Sequence, residues 1–174
     1  MSLFTNPDLL LNPELSTLAP IEKLANLLLK RHWTMASAES CTGGMISAAC
    51  TDLAGSSAWF ERGFVTYSNA AKTELLGVDA TLIETQGAVS EAVVRAMVQG
   101  AMARSHAQVA VAVTGVAGPT GGSAAKPVGT VWFGFATPAG LVSETLRFDG
   151  DRAAVRTATV RHALRKLVAL LQAD

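Results

Sequence analysis

Cysteine is scarce in this chain: its 174 residues include only two, Cys41 and Cys50. They lie too close together to build a disulfide framework, and they lack the paired C-x-x-C spacing of a structural zinc site. A secreted disulfide scaffold is thereby excluded, and a reducing cytoplasm fits the chain best. Histidine is equally thin. His32, His106 and His162 fall in contexts of helix ends or helix faces, so no Ser/His/Asp arrangement stands out, and no His/Asp/Glu/Cys cluster has metal-ligand spacing. Charge of one sign is missing as well, with 14 basic residues against 14 acidic ones. That balance argues against a nucleic-acid stripe or a membrane-surface patch and points to a small partner. No apolar run approaches the roughly 18 residues of a membrane span. The N-terminus has no basic region followed by a long apolar core, so residues 1–19 read as an arm and not as a signal peptide. Internal repeats and low-complexity linkers are also absent, which leaves residues 20–174 as a single domain.

What is present is abundant apolar sequence, 49% of the chain, arranged in alternating helical and strand patterns. After Pro20, Ile21, Leu24, Ala25 and Leu28 share one helical face, and Lys30 and Arg31 suit the C-terminal dipole. Residues 33–38 read as a strand, and a helix is expected to begin at Ser40 or Cys41. A second strand runs over 60–67. Ser68 then caps a short helix that stops at Gly77, with Lys72 in its early turns. Ser90 caps a helix over 91–104 whose buried stripe includes Met97, Val98 and Ala101. A strand over 108–113, a hairpin over 129–148 and a final helix after Asp151 complete the pattern. Helix and strand alternation of this kind predicts a three-layer α/β/α sandwich around a mixed, mostly parallel sheet of about five strands.

Two motifs carry chemistry. The first is S-A-E-S-C-T-G-G over residues 37–44, which puts Ser40 at a strand-to-helix turn. A serine there is commonly only a cap. Yet Thr42, Gly43 and Gly44 leave backbone N–H groups approachable, and a helix N-terminus favours developing negative charge. Cys41 is a rival nucleophile at the same turn, although small-residue packing suits it better. The second motif is Y-S-N-A-A-K over 67–72. Lys72 can be an ordinary solvated helix lysine or, if burial lowers its pKa, the base that a serine nucleophile needs. Tyr67, the sole tyrosine, can reach either group or simply end a strand with its ring in the core.

A glycine-rich run, T-G-V-A-G-P-T-G-G-S over 114–123, has neither the G-K-[ST] of a Walker loop nor a G-x-G-x-x-G opening a helix. It is either a flexible turn or a backbone cradle for a phosphate. Arg152, Arg156 and Lys126 are candidate phosphate partners or surface decoration.

These blocks occur in an order that resembles the CinA carboxy-terminal-domain family. The matching stretches are A-E-S-C-T-G-G, A-G-S-S-A-W-F-E-R-G-F-V-T-Y-S-N-x-A-K, L-G-V, G-A-V-S-E, G-x-A-G-P-x-G-G, K-P-V-G-T-V-W-F and G-D-R-x-x-V-R, spread over residues 38–156. The resemblance implies hydrolysis of the carboxamide of nicotinamide mononucleotide to nicotinate mononucleotide and ammonia, in pyridine nucleotide recycling. It also implies Ser40 as nucleophile, Lys72 as base and Tyr67 assisting, without a cofactor or metal. Substrate contacts are then expected at Thr42, Gly43, Gly44, Asn69, Thr114, Gly118, Gly121, Gly122 and Arg152, and a homo-oligomer, a dimer, is expected from the family. Two other readings use the same residues. One is a noncatalytic nucleotide-sensing module linked to competence or DNA damage, in which Ser40 only caps its helix. The other is a general amidase with no need of a phosphate cradle.

Overall fold

The computed structural model describes residues 18–173, and the arm expected over 1–19 lies outside them except for Leu18 and Ala19. Those two residues already belong to the first helix, α1 (Leu18–Arg31), because Pro20 is tolerated in a first helical turn, where its missing N–H has no partner to lose. The chain continues through β1 (Met35–Glu39), α2 (Met45–Thr51), β2 (Phe60–Val65), α3 (Asn69–Leu76), α4 (Ala80–Gln86) and α5 (Glu91–Ala103). It ends with β3 (Val109–Gly115), β4 (Thr130–Thr137), β5 (Gly140–Arg147) and α6 (Arg152–Ala173). The strands form one sheet in the order β2-β1-β3-β4-β5. β1 pairs in parallel with both β2 and β3, and the β4–β5 hairpin extends the sheet in antiparallel fashion.

Side-chain alternation along the strands builds two different faces. One face carries Met35, Val109, Val111, Val113, Val131, Phe133 and Phe135 against α1, α2 and α6. The other carries Ala36, Ala38, Ala110, Ala112 and Ala136 against α5, α3 and α4. The small residues allow a close approach on that second face: a Cβ on Gly134 would lie 2.9 Å from the carbonyl oxygen of Val94 in α5. Layers therefore sit on both sides of the sheet, and β3 is buried along nearly its whole length as an apolar run, while β1 buries Ser37 and Glu39 among its apolar residues.

The connections decide where a ligand can enter. From β1 the chain crosses one face through α2 to β2, then returns over the opposite face through α3, α4 and α5 to β3 on the other side of β1. The C-terminal ends of β1 and β3 are thus a topological switch point, the place where open α/β sheets leave a crevice.

Sequence patterning places most of these elements within a few residues, with two differences. The helix expected from Ser40 or Cys41 begins only at Met45, because Gly43 and Gly44 take positive φ angles of 59° and 99° and turn the chain first. Helix α4 lies where no element was expected: its seven residues are too few for a clear apolar period, and Asp79 starts it by accepting a hydrogen bond from Thr81 N–H.

Gly100 of α5 has a packing role that bears on the site. A Cβ there would run into the Leu76 carbonyl at the end of α3, the helix that carries Lys72. Gly100→Ala is expected to lower stability by about 1–3 kcal/mol through overpacking, more than offsetting the roughly 1 kcal/mol that alanine gains over glycine in a helix. Urea denaturation checks this; an unchanged or raised midpoint would show that the two helices can separate freely.

Candidate active site

Ser40 follows the last residue of β1 and is fixed there by its own N–H, which donates to Val113 O of β3 at 3.0 Å. Lys72 is the fourth residue of α3, whose first turn is capped by the Ser68 hydroxyl accepting from Ala71 N–H at 3.0 Å. Helical side chains lean toward their own N-terminus. The lysine accordingly reaches back along the start of α3 and under the sheet edge.

There the Lys72 amine lies 3.1 Å from Ser40 Oγ. It also donates to the carbonyl oxygens of Thr66 at 2.9 Å and Tyr67 at 3.3 Å, with Ser68 O at the outer limit of 3.5 Å. Only 1% of the lysine is exposed. Burial holds its pKa below the ordinary lysine value, with a smaller opposing pull from Cys41. Water is withheld from the charged form, and among the described residues no carboxylate pairs with the amine to restore it. Burial acts on Cys41 in the opposite chemical sense. Its thiol is pushed up to about 11, chiefly by desolvation, and the thiol of Cys50 to about 12 for the same reason.

A cavity of about 240 Å³ adjoins this pair, lined among others by Ser40, Tyr67, Asn69, Lys72, Thr114 and Arg152. A larger hollow of about 620 Å³ shares Ala117 and Arg152 with it and continues along the start of α6. Arg152 spans the boundary: it donates to Gly118 O at 3.0 Å and to the Tyr67 hydroxyl at 3.1 Å. The Tyr67 hydroxyl thus rests on Arg152, while the contact between Tyr67 and Lys72 runs through the tyrosine's backbone carbonyl. Thr114 is buried and spends its hydroxyl on Ala88 O at 2.9 Å.

The remaining candidates lie elsewhere. Thr42, Gly43 and Gly44 form the turn between β1 and α2 but do not line the smaller cavity. Gly43 N–H donates to Ser40 O at 3.1 Å and Gly44 N–H to Glu39 Oε2 at 3.0 Å. Gly121 and Gly122 line neither hollow, and Gly122 packs so close that a Cβ would lie 2.9 Å from Lys126 O. Lys126 itself reaches Gln86 O at 3.0 Å. Arg156 does line the larger hollow, and it grips the carbonyl oxygens of Cys41 at 3.1 Å and Thr42 at 2.8 Å, so this guanidinium braces the turn after Ser40.

Sequence reasoning passed over Glu39 altogether. It is a wholly buried carboxylate one residue before the serine, and its side chain receives the N–H groups of Gly44, Ile46 and Ser47. No local signal marks it, since an acid at the end of a strand is as easily solvated as buried. Among the described residues no group of three or more His, Cys, Asp or Glu could hold a metal ion, and no helix is long and apolar enough to cross a membrane.

Comparison with known proteins agrees with this architecture. The profile of the CinA C-terminal domain matches residues 18–171. A nicotinamide-nucleotide amidohydrolase of Enterobacter agglomerans is 62% identical over 125 residues, spanning 71% of this chain and 76% of that protein. The protein of the same name from Escherichia coli K12 is 51% identical over 147 residues, spanning 84% and 89%. Among solved structures, a CinA-superfamily protein from Klebsiella pneumoniae 700603 superposes with a TM-score of 0.87 at 37% identity, over 91% of this chain and 99% of that one. By its ordered sequence blocks, its fold and these likenesses, the chain belongs to the CinA C-terminal domain family.

Proposed function

We propose that this protein hydrolyses the carboxamide of nicotinamide mononucleotide to nicotinate mononucleotide and ammonia, with Ser40 as nucleophile and Lys72 as general base. One observation carries the reading: a buried lysine amine with a lowered pKa lies 3.1 Å from the hydroxyl of a serine that lines a cavity. The names of the amidohydrolase relatives supply the substrate.

A neutral amine has two N–H bonds and one lone pair. With the N–H bonds spent on Thr66 O and Tyr67 O, the lone pair is left for the Ser40 proton. As that proton moves to the amine, Ser40 Oγ bonds to the amide carbon and the carbonyl oxygen becomes an oxyanion. Collapse of this intermediate breaks the C–N bond, and the Lys72 ammonium returns its proton to the departing nitrogen, so ammonia leaves and an acyl-serine remains. Water, deprotonated by the same lysine, then attacks the ester and releases the carboxylate and the serine.

The oxyanion needs preorganised donors. Gly43 and Gly44 N–H are already bound inside the turn, whereas none of the described hydrogen bonds uses Thr42 N–H. The Arg156 grip on Cys41 O fixes that peptide plane, and in a trans peptide the Thr42 N–H points the opposite way. Thr42 is wholly buried, whereas Cys41, whose N–H is equally unused, lines the cavity, so the oxyanion is placed against the backbone N–H groups at the start of this turn. The pyridine ring belongs in the smaller cavity beside Ser40, with Asn69 and Thr114 on its walls. The phosphate belongs at Arg152 and the start of α6, where a guanidinium and a helix N-terminus act together. Tyr67 serves both ends, its carbonyl on Lys72 and its hydroxyl on Arg152.

With EDTA present throughout, purified wild type is expected to release ammonia from nicotinamide mononucleotide, and Ser40→Ala and Lys72→Ala each to lose at least about 10³-fold in kcat. Binding of the nucleotide without any ammonia release by wild type would instead favour the sensing module. Equal turnover of free nicotinamide would favour a general amidase. The high thiol pKa makes a separate point about Cys41. At pH 8 a thiol of that pKa is ionised to the order of one part in a thousand. Iodoacetamide should therefore leave Cys41 and Cys50 unmodified in the folded protein and label both after denaturation. Rapid loss of activity by labelling of Cys41 in the native state would reopen the cysteine as nucleophile.

A further inference from the structure

Glu39 has no exposed surface, and none of the ion pairs among the described residues includes it. Its charge is met by neutral donors from the turn that carries the nucleophile. Oε2 accepts from the Thr42 hydroxyl at 2.7 Å, Ile46 N–H at 2.9 Å and Gly44 N–H at 3.0 Å. Oε1 accepts from Ser47 N–H and the Ser47 hydroxyl, both at 2.8 Å. The Ser37 hydroxyl stands 3.2 Å from Oε1 and 2.9 Å from Ser47 Oγ, and divides its single proton between them. Donors from both ends of the turn and the first residues of α2 thus converge on one carboxylate. Gly63 of β2 leaves the room they need, since a Cβ there would strike the Ser47 hydroxyl.

The same residue is anchored in the sheet. Its carbonyl accepts Thr66 N–H at 2.8 Å, and the carbonyl of Thr66 is the nearest acceptor of the Lys72 amine. Glu39 therefore touches both halves of the Ser40–Lys72 pair by one intermediate residue each: the side chain sets the turn that follows Ser40, and the main chain sets the segment that receives Lys72.

We propose that Glu39 is the positioning residue of this active site, an internal anion that fixes the Ser40 turn so that Oγ stays in hydrogen-bonding reach of Lys72. It occupies the N-terminus of α2 itself, so the donors there hold the turn and not the substrate. The inference rests on the Ser40–Lys72 reading above and deepens it.

Glu39→Gln keeps the shape but replaces one acceptor oxygen by an NH₂ group that faces N–H and hydroxyl donors. A nucleophile displaced by a fraction of an ångström to one ångström loses on the order of 10- to 100-fold in rate. Glu39→Gln is thus expected to lose that much in kcat, with KM for nicotinamide mononucleotide within about twofold of wild type, the signature of a transition-state effect. The rate at which a fluorophosphonate modifies Ser40 should fall in parallel. Ser47→Ala, which removes one donor and keeps the carboxylate, should lose roughly threefold in kcat.

Circular dichroism and thermal melting first establish the folded fraction. A folded Glu39→Gln with kcat and labelling rate within about twofold of wild type would overturn the proposal, leaving Glu39 a purely structural cap. A loss confined to KM would overturn it equally, by making Glu39 a binding group. If Glu39→Gln does not fold, Ser47→Ala decides alone: reduced kcat at unchanged KM supports the proposal, and unchanged kcat rejects it. The labelling rate does not depend on the nucleotide. A wild type that is labelled at Ser40 but releases no ammonia would sink the deamidase reading while still deciding the role of Glu39.

Discussion

A lysine amine held out of water against a serine hydroxyl is the contact on which the rest of the site depends. Neither residue could be placed by its own element alone. Ser40 is set by the end of β1 and its hydrogen bond to β3, and Lys72 by a helix on the other side of the chain's crossover. The two meet because β1 lies between β2 and β3, with α2 covering one face and α3 the other. The alanine-rich face of the sheet then matters functionally. Small residues at positions 36, 38, 110 and 112 let the layer that carries Lys72 settle close against the sheet.

The two buried ionisable groups beside the serine receive opposite treatment. Glu39 is surrounded by N–H and hydroxyl donors, without solvent. Lys72 is given a hydroxyl and a short run of carbonyls but no carboxylate, so burial prevails and its pKa falls. One group is hydrogen-bonded into the turn after β1, and the other is the base in the proposed mechanism. Cys41, between them in sequence, is kept as a neutral thiol by the same burial. The proposed mechanism accordingly takes the serine, and not this thiol, as the nucleophile.

Much of this was legible in the sequence, for identifiable reasons. The Ser68 cap, the left-handed stop at Gly77 and the Ser90 cap are local effects of side chains on their own backbone, and the structure has each where patterning puts it. The parallel neighbours of β1 follow from the helices between the strands. What was hidden depends on tertiary placement. Nothing in A-E-S-C-T-G-G says that Glu39 points inward and gathers the N–H groups of the following turn, because a lone acid at the end of a strand is as easily solvated. The same holds for Arg156, whose partners are more than a hundred residues away in sequence, and for the Tyr67 hydroxyl, which lies on Arg152 and not on the dyad. The glycines at 121 and 122 show the reverse case. Their composition suggests a phosphate cradle, while in the structure both are exposed and line neither hollow, and only Gly122 has close backbone contact within its loop.

The protonation state of Lys72 is the most direct test of the whole account. Lysine side chains carrying ¹³C at Cε can be followed by NMR as pH is raised, with the Lys72 signal identified by its loss in Lys72→Arg. A base must be deprotonated to act, so the ammonium form, and with it inactivity, should prevail only below the depressed pKa. The account expects Lys72 to titrate below the ordinary lysine value of 10.5 and apart from the exposed lysines. Titration at or above that value would show that the buried amine keeps its proton, and a Ser40–Lys72 mechanism could not stand.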